Sequence, residues 1–281
     1  MAKRIYRFPD GKELTLGRRT LVMGILNVTP DSFSDGGKWN TRDDALRHMD
    51  EMVRDGADII DIGAESSRPG FVPMGAEEEM ERLLPFLTEI LKECPVPVSV
   101  DTFKAQTARA ALRAGAHILN DIWGLQYAEE QGAMARVAAE ADVPVVVMHN
   151  QHGTVYSGDI IAEMRAFFAR SFATADAAGL ARTNLILDSG IGFGKTAEQN
   201  MHVLRRMDEL ISYEGEAYPM LLGASRKSFI GAALDLPVTK RMEATGAVCV
   251  MGIERGASIV RVHDVKPIVR MCRMTDAILG A

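Results

Sequence analysis

Eight short apolar runs recur along this chain at a mean spacing of about 34 residues, and each ends in polar or glycine residues. They are Leu21–Val28, Ile59–Gly63, Val96–Thr102, Ile118–Asp121, Val143–His149, Leu185–Asp188, Met220–Ser225 and Ser258–His263. Between them lie amphipathic patterns of helical period, such as 43–56, 76–92, 104–114, 163–178, 198–210, 243–255 and 265–279. That spacing is what one strand, one helix and two short loops require, so the pattern predicts an α/β chain folded as a single (β/α)8 TIM barrel. Val143-Pro144-Val145-Val146-Val147-Met148 is apolar at nearly every position, as a strand covered on both faces must be. A doubly wound open sheet allows the same alternation, but eight even repeats without a linker-like break favour closure. The whole of 1–281 reads as one domain. Within it, 1–18 forms a short N-terminal β-hairpin around Pro9-Asp10-Gly11-Lys12, acting as a lid or plug, and 19–281 forms the barrel.

With 47% hydrophobic and 25% charged residues the chain can bury a full core. Its net charge of −6 argues against nucleic acid or any general polyanion as partner, so a phosphate site has to be local. Cys94, Cys249 and Cys272 are odd in number and lack metal-type spacing, which fits a reducing cytoplasm. No apolar stretch has the length of a signal core or a membrane span, so neither export nor a membrane partner is expected.

Polar residues collect at the C-terminal ends of the runs, which in a barrel converge on one mouth. The ends read Asn27 to Gly37, Asp61 to Gly70, Asp101 to Lys104, Asn120-Asp121, His149-Asn150, Asp188 to Thr196, Ser225 to Ser228 and Arg261 to Asp264. Helix capping accounts for several of the Ser, Thr, Asp and Asn residues, but not for Arg68, Lys227, Arg261 or His263. Those four cations beside Asn27, Asp101, Asn120 and Asp188 combine phosphate donors with carboxylates and amides suited to a hydrogen-bonding heterocycle. A phosphorylated heterocycle is the natural ligand. The loops after strands seven and eight, a frequent phosphate site in barrels, carry Ser225-Arg226-Lys227-Ser228 and Arg261-Val262-His263.

Other motifs have blander explanations. Ser189-Gly190-Ile191-Gly192-Phe193-Gly194-Lys195-Thr196 falls short of a P-loop because Ser189 replaces the first glycine, and it reads better as a tight turn needing positive φ. His149 and His152 lack a third metal ligand and read as structural or rim residues. Cys249 reads as packed, and Val248, Met251 and Gly252 lie at helical spacing on either a core face or a subunit interface.

Taken in order, Met23 to Gly37, Glu65-Ser66-Ser67-Arg68-Pro69-Gly70, Asp101-Thr102, Asn120 to Gly124, Asp188 to Thr196, Gly223 to Phe229 and Arg261 to Asp264 closely resemble the signatures of dihydropteroate synthases across the whole chain. Ser67 stands where that family usually has threonine, and Ser189 where it often has proline; the first keeps a hydroxyl and the second alters only loop stiffness. The resemblance implies condensation of (7,8-dihydropterin-6-yl)methyl diphosphate with 4-aminobenzoate, releasing diphosphate and forming dihydropteroate. It implies pterin contacts from Asp101, Asn120, Asp188 and Lys227, with Arg261 stacking on the ring and reaching phosphate. It further implies Mg2+ on Asn27, diphosphate contacts from Arg68, Arg261 and His263, an aminobenzoate pocket built by the first two loops with Phe33 and Pro69 and bordered by Asp35 and Ser228, and Ser67 as a further substrate-binding residue. Asp101, Lys227 and Arg261 are the expected catalytic residues, and a homodimer the expected assembly. A pterin-binding methyltransferase module, which would need no diphosphate site, and a non-catalytic pterin carrier are the competing expectations.

Overall fold

The computed structural model of the chain describes residues 3–28, 42–65 and 74–280. All eight predicted runs are parallel strands of one closed barrel: β3 (Leu21–Asn27), β4 (Ile59–Gly63), β5 (Val98–Asp101), β6 (Ile118–Asp121), β7 (Val145–Met148), β8 (Leu185–Asp188), β11 (Met220–Leu222) and β12 (Ala257–Val262), with β12 closing onto β3. The hairpin β1 (Arg4–Arg7) and β2 (Glu13–Leu16) is antiparallel and separate from the barrel sheet. A second small ribbon, β9 (Ser212–Tyr213) and β10 (Glu216–Ala217), had no strand-length apolar signal in the sequence.

The helices follow the amphipathic patterns: α1 (Arg42–Arg54), α2 (Ala76–Glu93), α3 (Ala105–Ala114), α5 (Ile160–Ala178), α6 (Ala197–Arg205), α8 (Met242–Glu254) and α9 (Val265–Leu279). Two more, α4 (Ala133–Ala141) and α7 (Ser228–Leu234), complete the alternation, although α4 is largely alanine and α7 is only seven residues long, so neither carries a stripe that stands out. α5 begins ahead of its predicted start because Asp159 caps it, accepting from Ala162 N at 3.3 Å. The pattern over 198–210 is broken at Arg206, after which Met207–Leu210 winds as a 3-10 turn. In α8, Gly252 and Cys249 are buried and Val248 and Met251 pack on the core; a Cβ on Gly252 would stand 2.2 Å from Leu222 Cδ2. That stripe therefore faces the barrel. Among the described residues no helix is long and apolar enough to cross a membrane.

Strand parity decides what fills the barrel. Alternate residues of a strand face opposite sides of a sheet. Val22, Ile60, Val98, Val100, Val145 and Val147 pack outward under the helices, while Leu21, Met23, Ile59, Ile118, Val146, Ile186, Leu221 and Ile259 form one inner cluster. The hairpin completes that inner cluster with Tyr6, Phe8, Leu14 and Leu16. It is pinned at the N-terminal end of the barrel by Tyr6 Oη donating to Thr183 O at 2.8 Å and by the Asp10–His117 contact at 3.0 Å. Of the two expected roles, the hairpin is the plug. Replacing Leu16, which is fully buried, by alanine is expected to cost about 3 kcal/mol of unfolding free energy in urea titration; a hairpin lying loosely on the surface would lose less than about 0.5 kcal/mol.

Candidate active site

Two residues further along the same inward parity, the side chains turn polar. Ile59 is followed by Asp61, Ser99 by Asp101, Ile118 by Asn120, Ile186 by Asp188 and Ile259 by Arg261. Strand register brings Asp101 level with Asn120 and Met148 level with Asp188. The barrel interior is thus an apolar floor with a ring of carboxylates, an amide and a guanidinium directly above it.

Arg261 organises that ring. Its Nε donates to Asp61 Oδ2 at 2.6 Å and its Nη2 to Asp101 Oδ2 at 2.8 Å. Asn120 Nδ2 donates to the same Asp61 oxygen at 3.1 Å. Burial raises the Asp101 carboxyl above its ordinary range, opposed by Arg261 and reinforced by the neighbouring Asp61 charge. Asp188 is raised by burial as well, against the pull of Gly190 N–H, which donates to its Oδ1 at 2.7 Å, and of Lys227 and Arg261. Lys227 moves the other way, to about 7, because burial penalises its ammonium more than Asp188 supports it. Its Nζ donates to Ile191 O and lies 4.1 Å from the centre of the Phe193 ring.

The neighbouring strand ends hold the rim. His263 and Ser225 are joined by an Nδ1–Oγ contact of 2.9 Å, and His263 N donates to the same hydroxyl at 3.2 Å. Arg226 does not serve the mouth as an open cation: its guanidinium pairs with Asp264 through bonds of 2.9 and 2.6 Å. Ser228 is exposed at the first turn of α7, and Asn27 is exposed at the last residue of β3, level with Gly63. Asp121 faces away from the ring and orders the following turn, accepting from Trp123 N and Leu125 N at 2.8 and 2.7 Å. A buried network lies alongside: Lys104 bridges Glu65 at 2.6 Å and Glu79 at 3.1 Å, and Glu65 also accepts from Met74 N at 2.7 Å.

Residues 23–263 match the pterin binding enzyme family. Dihydropteroate synthase of Bacillus subtilis is 51% identical over 267 residues, covering 95% of this chain and 91% of that one. The enzyme of Clostridium beijerinckii is 47% identical over 272 residues, covering 95% and 97%. The chain belongs to the dihydropteroate synthase family. Among solved structures, the Clostridium difficile dihydropteroate synthase crystallised in the presence of pteroic acid superposes with a TM-score of 0.88 at 48% identity, covering 94% of this chain and 98% of that one. The Xanthomonas albilineans dihydropteroate synthase with 4-aminobenzoic acid gives 0.89 at 36% identity, covering 99% and 100%.

Of the residues that the resemblance to dihydropteroate synthases implied, Asp101, Asn120, Asp188, Lys227 and Arg261 converge in the pocket, with His263 on its rim and Ser228 and Asn27 at the ends of α7 and β3. Phe33, Ser67, Arg68 and Pro69 lie outside the described residues. Asp61 was missed as a site residue, though a lone carboxylate inside Ile59-Ile60-Asp61-Ile62 was a usable signal, since a strand covered on both faces has no solvated side to give it. Replacing Asp61 by alanine leaves Arg261 short of a buried counter-charge, and is expected to lower the unfolding free energy by about 3 kcal/mol in chemical denaturation. A loss below about 1 kcal/mol would mean the pair contributes little to holding the barrel mouth.

Proposed function

We propose that this pocket joins (7,8-dihydropterin-6-yl)methyl diphosphate to 4-aminobenzoate by a dissociative substitution, with Asp101, Asn120, Asp188, Lys227 and Arg261 as the pterin and reaction site. The observation that carries the reading is the set of Asp101, Asn120 and Asp188 gathered in the barrel mouth with two cations, Lys227 and Arg261, of which Asn120 and Asp188 are buried. A pterin edge presents adjacent N–H donors, which carboxylates accept, next to a ring carbonyl and nitrogen that an amide and an ammonium complement. Arg261, already fixed on two carboxylates, can lay its guanidinium plane against the ring.

In the first step the C–O bond to diphosphate breaks and its electron pair leaves with the diphosphate. The pterin-methyl cation that remains is delocalised into the ring and faces the Asp101 carboxylate. The arylamine nitrogen then attacks, and its proton leaves with the departing diphosphate or solvent. Catalysis of this kind rests on charges held in place before the reaction, with no covalent nucleophile. His263 and Arg261 serve the diphosphate and Ser228 the aminobenzoate, and the roles of Arg68 toward the former and of Phe33 and Pro69 toward the latter, with Ser67 as a further substrate-binding residue, are proposed from the family resemblance.

Asn27 fits a magnesium ligand. It offers one amide oxygen at the open end of a barrel strand, and magnesium usually keeps water and substrate phosphates around one or two protein oxygens. Bound there, Mg2+ would neutralise charge on the diphosphate. The buried, unpaired thiols of Cys94, Cys249 and Cys272 support a reducing cytoplasm, and the exposed Met274, Ile278 and Leu279 on α9 support a homodimer.

The test is diphosphate release and dihydropteroate formation with both substrates and Mg2+, each omitted in turn. Asp101→Asn is expected to lower kcat by about 100-fold or more, since the stabilising charge is removed; full turnover in that variant would overturn the mechanism. The pH profile of kcat/KM for the pterin diphosphate provides a second check. Lowering pH protonates Asp101, whose pKa is raised, so the acid limb lies above the ordinary carboxylate value of about 4. Raising pH discharges Lys227 at about 7, so the alkaline limb lies below the ordinary lysine range, and Lys227→Arg moves that limb alone to higher pH.

A further inference from the structure

The turn between β8 and α6 is built from three glycines in the left-handed region, Gly190, Gly192 and Gly194, with φ of +63°, +85° and +56°. Such a path cannot join a regular ladder, so something other than sheet or helix bonds has to hold it. Lys195 does so. Its Nζ lies 3.0 Å from each of Gly190 O, Phe193 O and His149 Nδ1. An ammonium has three protons, and here each meets an acceptor, two of them on the turn and one on the strand end after β7. The His149 ring accepts through Nδ1 and is held neutral, because burial and the Lys195 charge both push its pKa down.

What the turn presents on its other side is the seat of Lys227. Ile191 O takes the Lys227 ammonium, the Phe193 ring lies under it, and the Gly192 backbone runs so close that a Cβ there would stand 2.6 Å from Lys227 Cδ. We propose that Lys195 is a positioning residue that acts through this turn, holding the Ile191 carbonyl and the Phe193 ring where they aim the Lys227 ammonium into the pocket. Lys195 is not itself a phosphate ligand, although the sequence around it approaches a phosphate loop: it is 8% exposed and its three protons are already committed. Burial, and after it the nearby Lys227 charge, lower its pKa to about 7.

The inference rests on the pterin diphosphate reading of the pocket, and a double-mutant cycle separates the two. The affinity of (7,8-dihydropterin-6-yl)methyl diphosphate is measured by calorimetry for the wild type, Lys195→Met, Lys227→Met and the double variant, with circular dichroism and the thermal midpoint recorded for each. Lys195→Met is expected to weaken binding about tenfold alone and by less than about twofold when Lys227 is already gone, the non-additivity of residues acting along one path. Losses that multiply would overturn the proposal and leave Lys195 a general brace. If Lys195→Met does not fold, the same cycle is run with His149→Leu, which removes one of the three acceptors, and multiplying losses there overturn it equally. A wild type that fails to bind the pterin diphosphate defeats the functional reading and the inference with it, whereas a wild type that binds and a multiplicative cycle defeat the inference alone.

Discussion

A pleated strand turns alternate side chains to opposite sides, and in a closed barrel this single constraint assigns every strand residue either to the helix layer or to the interior. The inward positions of this chain begin apolar and turn polar one step later on four strands, at Asp61, Asn120, Asp188 and Arg261, and on β5 Asp101 follows the already polar Ser99. The pocket floor and the pocket chemistry are thus consecutive members of the same inward rows. Shifting any of these strands by one residue would send its polar group under the helices, where burying an unpaired charge is prohibitive.

The ring that results is short of positive charge at its centre, where Arg261 serves both Asp61 and Asp101. Burial first, and then the Asp61 charge that shares the guanidinium, make Asp101 hold its proton more tightly than an ordinary aspartate, against the pull of Arg261. An incoming electron-poor ring changes that balance in favour of the carboxylate. The same residues that fix the barrel mouth in the free protein are therefore set to respond to charge developing on a ligand.

How far the sequence could be read follows from which signals are local. The eight strands were legible because each is an apolar run ending in polar residues, and α4 and α7 were not because α4 is largely alanine and α7 spans only seven residues. Asp101, Asn120, Asp188, Lys227 and Arg261 could be placed together because four lie at strand ends and Lys227 in the loop that follows one, which topology gathers. Their pairings could not: that Arg226 turns to Asp264 while Arg261 turns to Asp61 and Asp101 depends on side-chain directions set by neighbours remote in sequence. Lys195 was hidden for a related reason, since its three partners are a histidine on another strand end and two carbonyls that carry no sequence signal.

The hairpin that fills the N-terminal end of the barrel has a consequence for traffic. With Tyr6, Phe8, Leu14 and Leu16 packed against the inner apolar cluster, the N-terminal end of the interior is filled, which among the described residues leaves the end at Asp101 and Asp188 as the way in. Both reactants and both products then share a single doorway. A ring seated at the depth of Asp101 and Asp188 has to arrive before anything lodges above it, and whatever is joined to it has to leave by the way it came. The order of events in such a barrel is written in its depth.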